Sequence, residues 1–182
     1  MFDHEHYVPV LKWKQGEYLA LRQVSARTKR RITPVIEIQD IPWDYEDGCD
    51  SKTLDEHLGT VARFINTNWG RSPAFLDVEA CRGAATSSGC HPMRHIADDG
   101  AQFNLRLVPV LRSSSSAQTL ADAAHIHTTY NSGFAVRLYA HDFLSGSPAT
   151  VLQGLQQAVG TTDAETDLLV DMHEIPADPA QS

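Results

Sequence analysis

An α/β fold, an incomplete TIM-like (β/α) barrel of six parallel strands and five helices, is predicted by three features of the sequence. Short apolar runs alternate with helical patterns along the whole chain. The runs start about every 25–40 residues, the spacing of βα units joined by right-handed crossovers. Each run ends in, or just before, an ionisable residue.

The elements follow in order. Tyr7 to Leu11 (YVPVL) reads as a short buried strand. A polar turn, Lys12 to Glu17, leads into a helix over Tyr18 to Lys29, with Leu19, Leu21 and Val24 on a helical pattern. Ile32 to Ile38 (ITPVIEI) is the second strand, followed by a loop of turn formers and acids from Gln39 to Ser51. Thr53 caps the next helix, with Glu56 three residues on and Leu54, Leu58, Val61, Ala62 and Ile65 at helical spacing. Ala74 to Val78 is the third strand, and the loop from Cys81 to Cys90 is rich in Gly, Ser and Thr. A helix over Pro92 to Phe103 precedes the fourth strand, Leu105 to Leu111. A serine run opens the helix Ala117 to Tyr130, which Gly133 ends before the fifth strand, Phe134 to Tyr139. Pro148, at a first helical position, opens a helix through Val159, and Leu168 to Met172 is the sixth strand. One domain is expected over residues 1–175, with a frayed tail over 176–182.

Composition bounds the function. The 182 residues are 42% apolar and 21% charged, ordinary for a globular domain with a core of its own. A net charge of −8 argues against a surface-wide attraction to nucleic acid or to an anionic membrane. No window approaches the ~18–20 apolar residues of a membrane helix. The N-terminus carries acids and histidines where a secretion signal carries bases. Three cysteines, Cys49, Cys81 and Cys90, are an odd number at unrelated spacings, which speaks for a reducing, cytoplasmic compartment.

The strand-end charges carry the chemistry. Side chains alternate across a strand, so placing Glu37, Asp77, Arg137 and Asp171 inward leaves Ile36, Leu76, Val136, Leu138, Leu168 and Val170 facing outward, where helices would cover them. With Lys12 and Arg112, these groups would gather at the C-terminal rim of the sheet, where folds of this type build their sites. Arg112 and Arg137 have the planar fork that grips phosphate or carboxylate, and Lys12 adds a point charge. Glu37, Asp77 and Asp171 are the residue types that bind a hard divalent cation such as Mg2+, or that act as general acid and base. The competing reading is a closed ion-pair network that fixes strand register, because charge clusters of this kind occur in both settings.

Other constellations are weaker. Cys81, Cys90, His91 and His95 have a spacing that matches no established zinc pattern. Trp43 and Asp44, in the loop after the second strand, read equally as a rim lid or as a loop anchor. The sequence has no phosphate-binding GxxxxGK[ST], no GxGxxG after a strand, no GxSxG and no HExxH, which disfavours motor ATPase and serine hydrolase chemistry.

The segments HYVPVLKWKQGEYLAL, ITPVIEI, IPWD, KTLDEHL and FLDV, and later PVLR and the strand ending in Asp171, resemble the phage beta protein family. The resemblance implies a chain of eight βα units, of which this sequence carries six strands, and a phage, prophage or mobile-element setting. It implies no particular reaction. Two functions follow as expectations. One is a barrel-type phosphoester hydrolase or anion-binding protein using the six rim residues. The other is a non-enzymatic phage or defence accessory whose barrel is completed by a partner protein or by self-association, with a truncated fragment as the remaining alternative.

Overall fold

The computed structural model describes residues 5–144 and 147–172. The tail expected over 176–182 lies outside the described residues. The elements are β1 (Val10–Lys12), α1 (Gln15–Gln23), α2 (Ala26–Lys29), β2 (Val35–Glu37), β3 (Trp43–Asp44), β4 (Cys49–Asp50), α3 (Leu54–Leu58), α4 (Val61–Asn68), β5 (Ala74–Asp77), α5 (Pro92–Ala101), β6 (Leu107–Leu111), α6 (Ala117–Tyr130), β7 (Phe134–Tyr139), α7 (Ala140–Leu144), α8 (Pro148–Val159) and β8 (Thr166–Asp171).

Six strands form one sheet in the order β1-β2-β5-β6-β7-β8, every neighbouring pair parallel, and the sheet makes a half-barrel. Strand order follows chain order because each crossover helix returns the chain to the next position in the sheet. Two layers of apolar contact result. The outward residues Ile36, Leu76, Leu111, Val136 and Leu138 pack with Ile65, Ile96 and Ile126 of the helices. The inward residues Val35, Phe75, Val110 and Ala135 form a smaller cluster, joined by Val8, Val108 and Leu169. The period-2 pattern and the helical pattern thus meet at one interface, as a helix-covered parallel sheet requires.

Five helices were expected, and the structure differs in four places. The first splits into α1 and α2 because Val24 is extended and Ser25 caps a new turn by accepting from Thr28 N at 3.1 Å. The second splits into α3 and α4 at Gly59 and Thr60. The short α7 follows β7 directly, and the loop after β2 holds the antiparallel pair β3–β4. At β8, Leu168 and Val170 face outward as expected, but each is 55% exposed. Among the described residues no helix is long and apolar enough to cross a membrane.

The cap predicted at Thr53 is present in full: Thr53 Oγ1 accepts from Glu56 N at 3.3 Å, and Glu56 Oε2 accepts from Thr53 N at 2.8 Å. Thr53→Ala is expected to cost about 1 kcal/mol of unfolding free energy in urea titration, the usual worth of such a cap.

Candidate functional site

The rim site grows out of register. Lys12, Glu37 and Asp77 are consecutive partners across β1, β2 and β5, so they lie on one row and one face. Arg137 in β7 pairs with Leu169, and Tyr139 with Asp171, which sets those side chains on the same inward face. Arg112 follows β6 directly.

Asp77, 1% exposed, is the centre. It accepts from Arg112 Nη1 at 2.9 Å, from Arg112 Nη2, and from Arg137 Nη1 at 2.8 Å. Arg137 also donates from Nη1 to Glu37 Oε1 at 2.6 Å, and from Nε to Asp171 Oδ2 at 2.9 Å, with Nη2 on the same oxygen. Arg112 donates from Nε to the Tyr139 hydroxyl at 2.8 Å and from Nη1 to Glu79 Oε2 at 3.5 Å. Both guanidinium groups lie 5.6–5.7 Å from the centre of the Tyr139 ring, within reach of a cation–π attraction. Arg82 closes the outer edge on Glu79.

Electrostatics locks both arginines in the charged form. Burial alone would lower the pKa of Arg137, but its hydrogen bonds with Glu37 and Asp171 and the field of Asp77 outweigh that and raise it. Burial likewise opposes Arg112, and Asp77 again reverses the sign. Asp142 braces the end of β7, accepting from Ser113 Oγ at 2.6 Å and from Tyr139 N at 2.8 Å. Its burial favours the neutral acid, yet these donors hold its pKa below the ordinary carboxylate range.

Five of the six expected rim residues, Glu37, Asp77, Arg112, Arg137 and Asp171, therefore meet in one network. Lys12 stands at its edge, exposed and without an ion pair among the described residues, because β1 is a three-residue edge strand with a neighbour on one side only. Tyr139 and Glu79 are members that the strand-end charges did not point to. Tyr139 was within reach of the same alternation rule, two residues beyond Arg137 in β7, whereas Glu79 lies past the end of β5 in a short 3-10 helix, where alternation does not apply. The three carboxylates expected to hold Mg2+ face arginines instead, and no group of three or more His, Cys, Asp or Glu among the described residues is arranged to hold a metal ion.

Cys81 is buried and donates to the Gln39 carbonyl at 3.3 Å, and desolvation pushes its thiol up to about 11. Burial raises Cys90 as well, so neither is a ready thiolate at neutral pH. Trp43 stays 52% exposed in β3, with Asp44 organising the turn by accepting from Glu46 N at 2.8 Å.

No curated protein matches this sequence. Among solved structures, a 3-hexulose-6-phosphate synthase is similar with a TM-score of 0.46 and 17% sequence identity, over 91% of this chain and 64% of that one. This chain thus spans less than two thirds of that protein's length. The family model for Beta protein matches residues 7–181, nearly the whole sequence, and the chain belongs to the Beta protein family.

Proposed function

We propose that this is a phage- or prophage-associated cytoplasmic protein that binds a small anionic ligand of the phosphoester class at the C-terminal rim of its half-barrel. The observation that carries this reading is an unneutralised cation beside an exchangeable pair. Lys12 lies opposite Glu37 in register, exposed, and Glu37 in turn occupies Arg137. A phosphate entering there meets Lys12 and displaces the Glu37 carboxylate, whose side chain is 21% exposed, from the fork of Arg137. Asp77 stays in place and keeps both guanidinium groups oriented. If the bound group is an ester to be hydrolysed, the displaced Glu37 is the base that takes a proton from water, and Arg137, Arg112 and Lys12 offset the developing oxyanion charge. Glu37, Asp77 and Asp171 are engaged with Arg137 rather than grouped around a cation position.

The competing reading, a purely structural network, is favoured by the fact that every guanidinium nitrogen of Arg112 and Arg137 already has a partner. Calorimetric titration with inorganic phosphate and a phosphomonoester separates the two. Glu37→Gln removes the competing charge and is expected to tighten binding about tenfold while abolishing any turnover, and Lys12→Ala to weaken binding about fivefold. If neither anion binds the parent protein or Glu37→Gln at millimolar concentration, the network is structural only.

A second function, a non-enzymatic accessory that binds a protein partner, is favoured by the bare outward face of Leu168 and Val170 on the edge strand β8. Light scattering that returns the mass of a single chain at every concentration counts against self-association through that edge.

A further inference from the structure

We infer that a second recess at the same rim, on the helix side of the sheet, binds a nucleotide, with the base against Trp13, Tyr18 and Phe64 and the phosphate at Lys52. The recess has a volume of about 200 Å³ and lies between the β1–α1 turn, the residues following β2, and α3–α4. It is separate from the arginine network, because Ile38 in its wall belongs to the outward core and Glu37 points inward.

Three properties select the ligand. The wall is aromatic: Trp13 and Tyr18 have ring centroids 5.5 Å apart at 48°, and Tyr18 and Phe64 5.3 Å apart at 39°. Such a wall favours a flat ring over a water cluster. Two lining residues carry polar atoms that are covered from solvent and have no hydrogen-bond partner among the described residues, Trp13 Nε1 and His57 Nδ1. His57 Nε2 lies 2.8 Å from the Gln39 carbonyl oxygen, which can only accept, so the ring proton sits on Nε2 and Nδ1 of the neutral ring is an acceptor. One unmet donor and one unmet acceptor beside an aromatic wall match the ring-nitrogen and amino edge of a nucleobase, and buried polar atoms call for such partners. Finally, the lining includes exposed Lys52 and no carboxylate, in a chain of net charge −8, which suits a 5′-phosphate.

The test is calorimetric titration of the full chain with AMP, GMP, CMP and UMP, each also in excess inorganic phosphate. At least one nucleotide is expected to bind, and phosphate, which reports the arginine rim, to leave that binding in place. Trp13→Phe keeps the ring and removes the donor, and is expected to weaken the nucleotide about tenfold; exposed Lys52→Ala, which leaves the fold untouched, about fivefold. The inference is overturned if none of the four binds at millimolar concentration, if inorganic phosphate displaces the nucleotide completely, or if both variants keep the parent affinity. The rim reading stands or falls separately, on phosphate alone and Glu37→Gln.

Discussion

Asp77→Ala lowers the free energy of unfolding by about 3–5 kcal/mol, measured by urea titration followed by circular dichroism. The cost has two sources. Asp77 is 1% exposed, and its carboxylate accepts from both Arg112 and Arg137, whose side chains are 8% and 7% exposed. Removing it leaves two nearly buried guanidinium groups without their shared counter-charge, and Arg112 loses both of its hydrogen bonds to Asp77 while Arg137 loses one. Arg137 retains Glu37 and Asp171, and Arg112 retains Glu79 and Tyr139, which keeps the loss inside that range. Because replacing a buried pair by apolar groups of similar volume is often neutral, Asp77→Leu combined with Arg112→Met is expected to recover part of the deficit. A loss below about 1 kcal/mol for Asp77→Ala would remove Asp77 from the centre of the network. Under the proposed function stability and anion binding are linked, since the residue that would orient both arginines for an anion is the one that neutralises them now.

The inward placement of Glu37, Asp77, Arg137 and Asp171 could be read from the sequence because it depends on a local rule. A strand with helices on one side must present apolar residues there, and Ile36, Leu76, Val136 and Leu138 leave their alternate neighbours a single direction. Which carboxylate meets which arginine was not legible. Arg137 and Glu37 are 100 residues apart, and their contact is fixed by strand order and barrel curvature rather than by anything near either residue. Lys12 shows the same limit from the other side, since its pattern is that of the other strand ends but its strand has one neighbour. The helix breaks at Ser25 and Gly59 were hidden for different reasons: at Gly59 the apolar periodicity from Leu54 to Ile65 runs on through the break, whereas the first pattern ends at Val24 and Ala26–Lys29, which buries no residue, has no period to show that Ser25 starts a new turn. The pair β3–β4 has two residues per strand, too few for any period to register.

Gly133→Ala is expected to cost about 3 kcal/mol or more, and to damage the rim although Gly133 sits at the opposite end of β7. Gly133 has φ +64°, and a Cβ there would lie 2.2 Å from the Glu165 carbonyl oxygen and 3.1 Å from its carbon, both main-chain atoms that cannot swing aside. The only relief is to separate the start of β7 from the start of β8, where Phe134 pairs with Thr166. That pairing is the first step of a register that ends with Tyr139 opposite Asp171, so opening it moves the carboxylate that Arg137 holds. Gly160→Ala is the control. Gly160 has φ +84° but nothing within 4 Å of the added Cβ, so it incurs only the left-handed penalty of about 1 kcal/mol. Thermal unfolding of the two variants side by side separates close backbone approach from conformational preference. Equal midpoints would mean that β8 is not held against β7 at Gly133, and with it the docking of Asp171 on Arg137 would lose its structural cause.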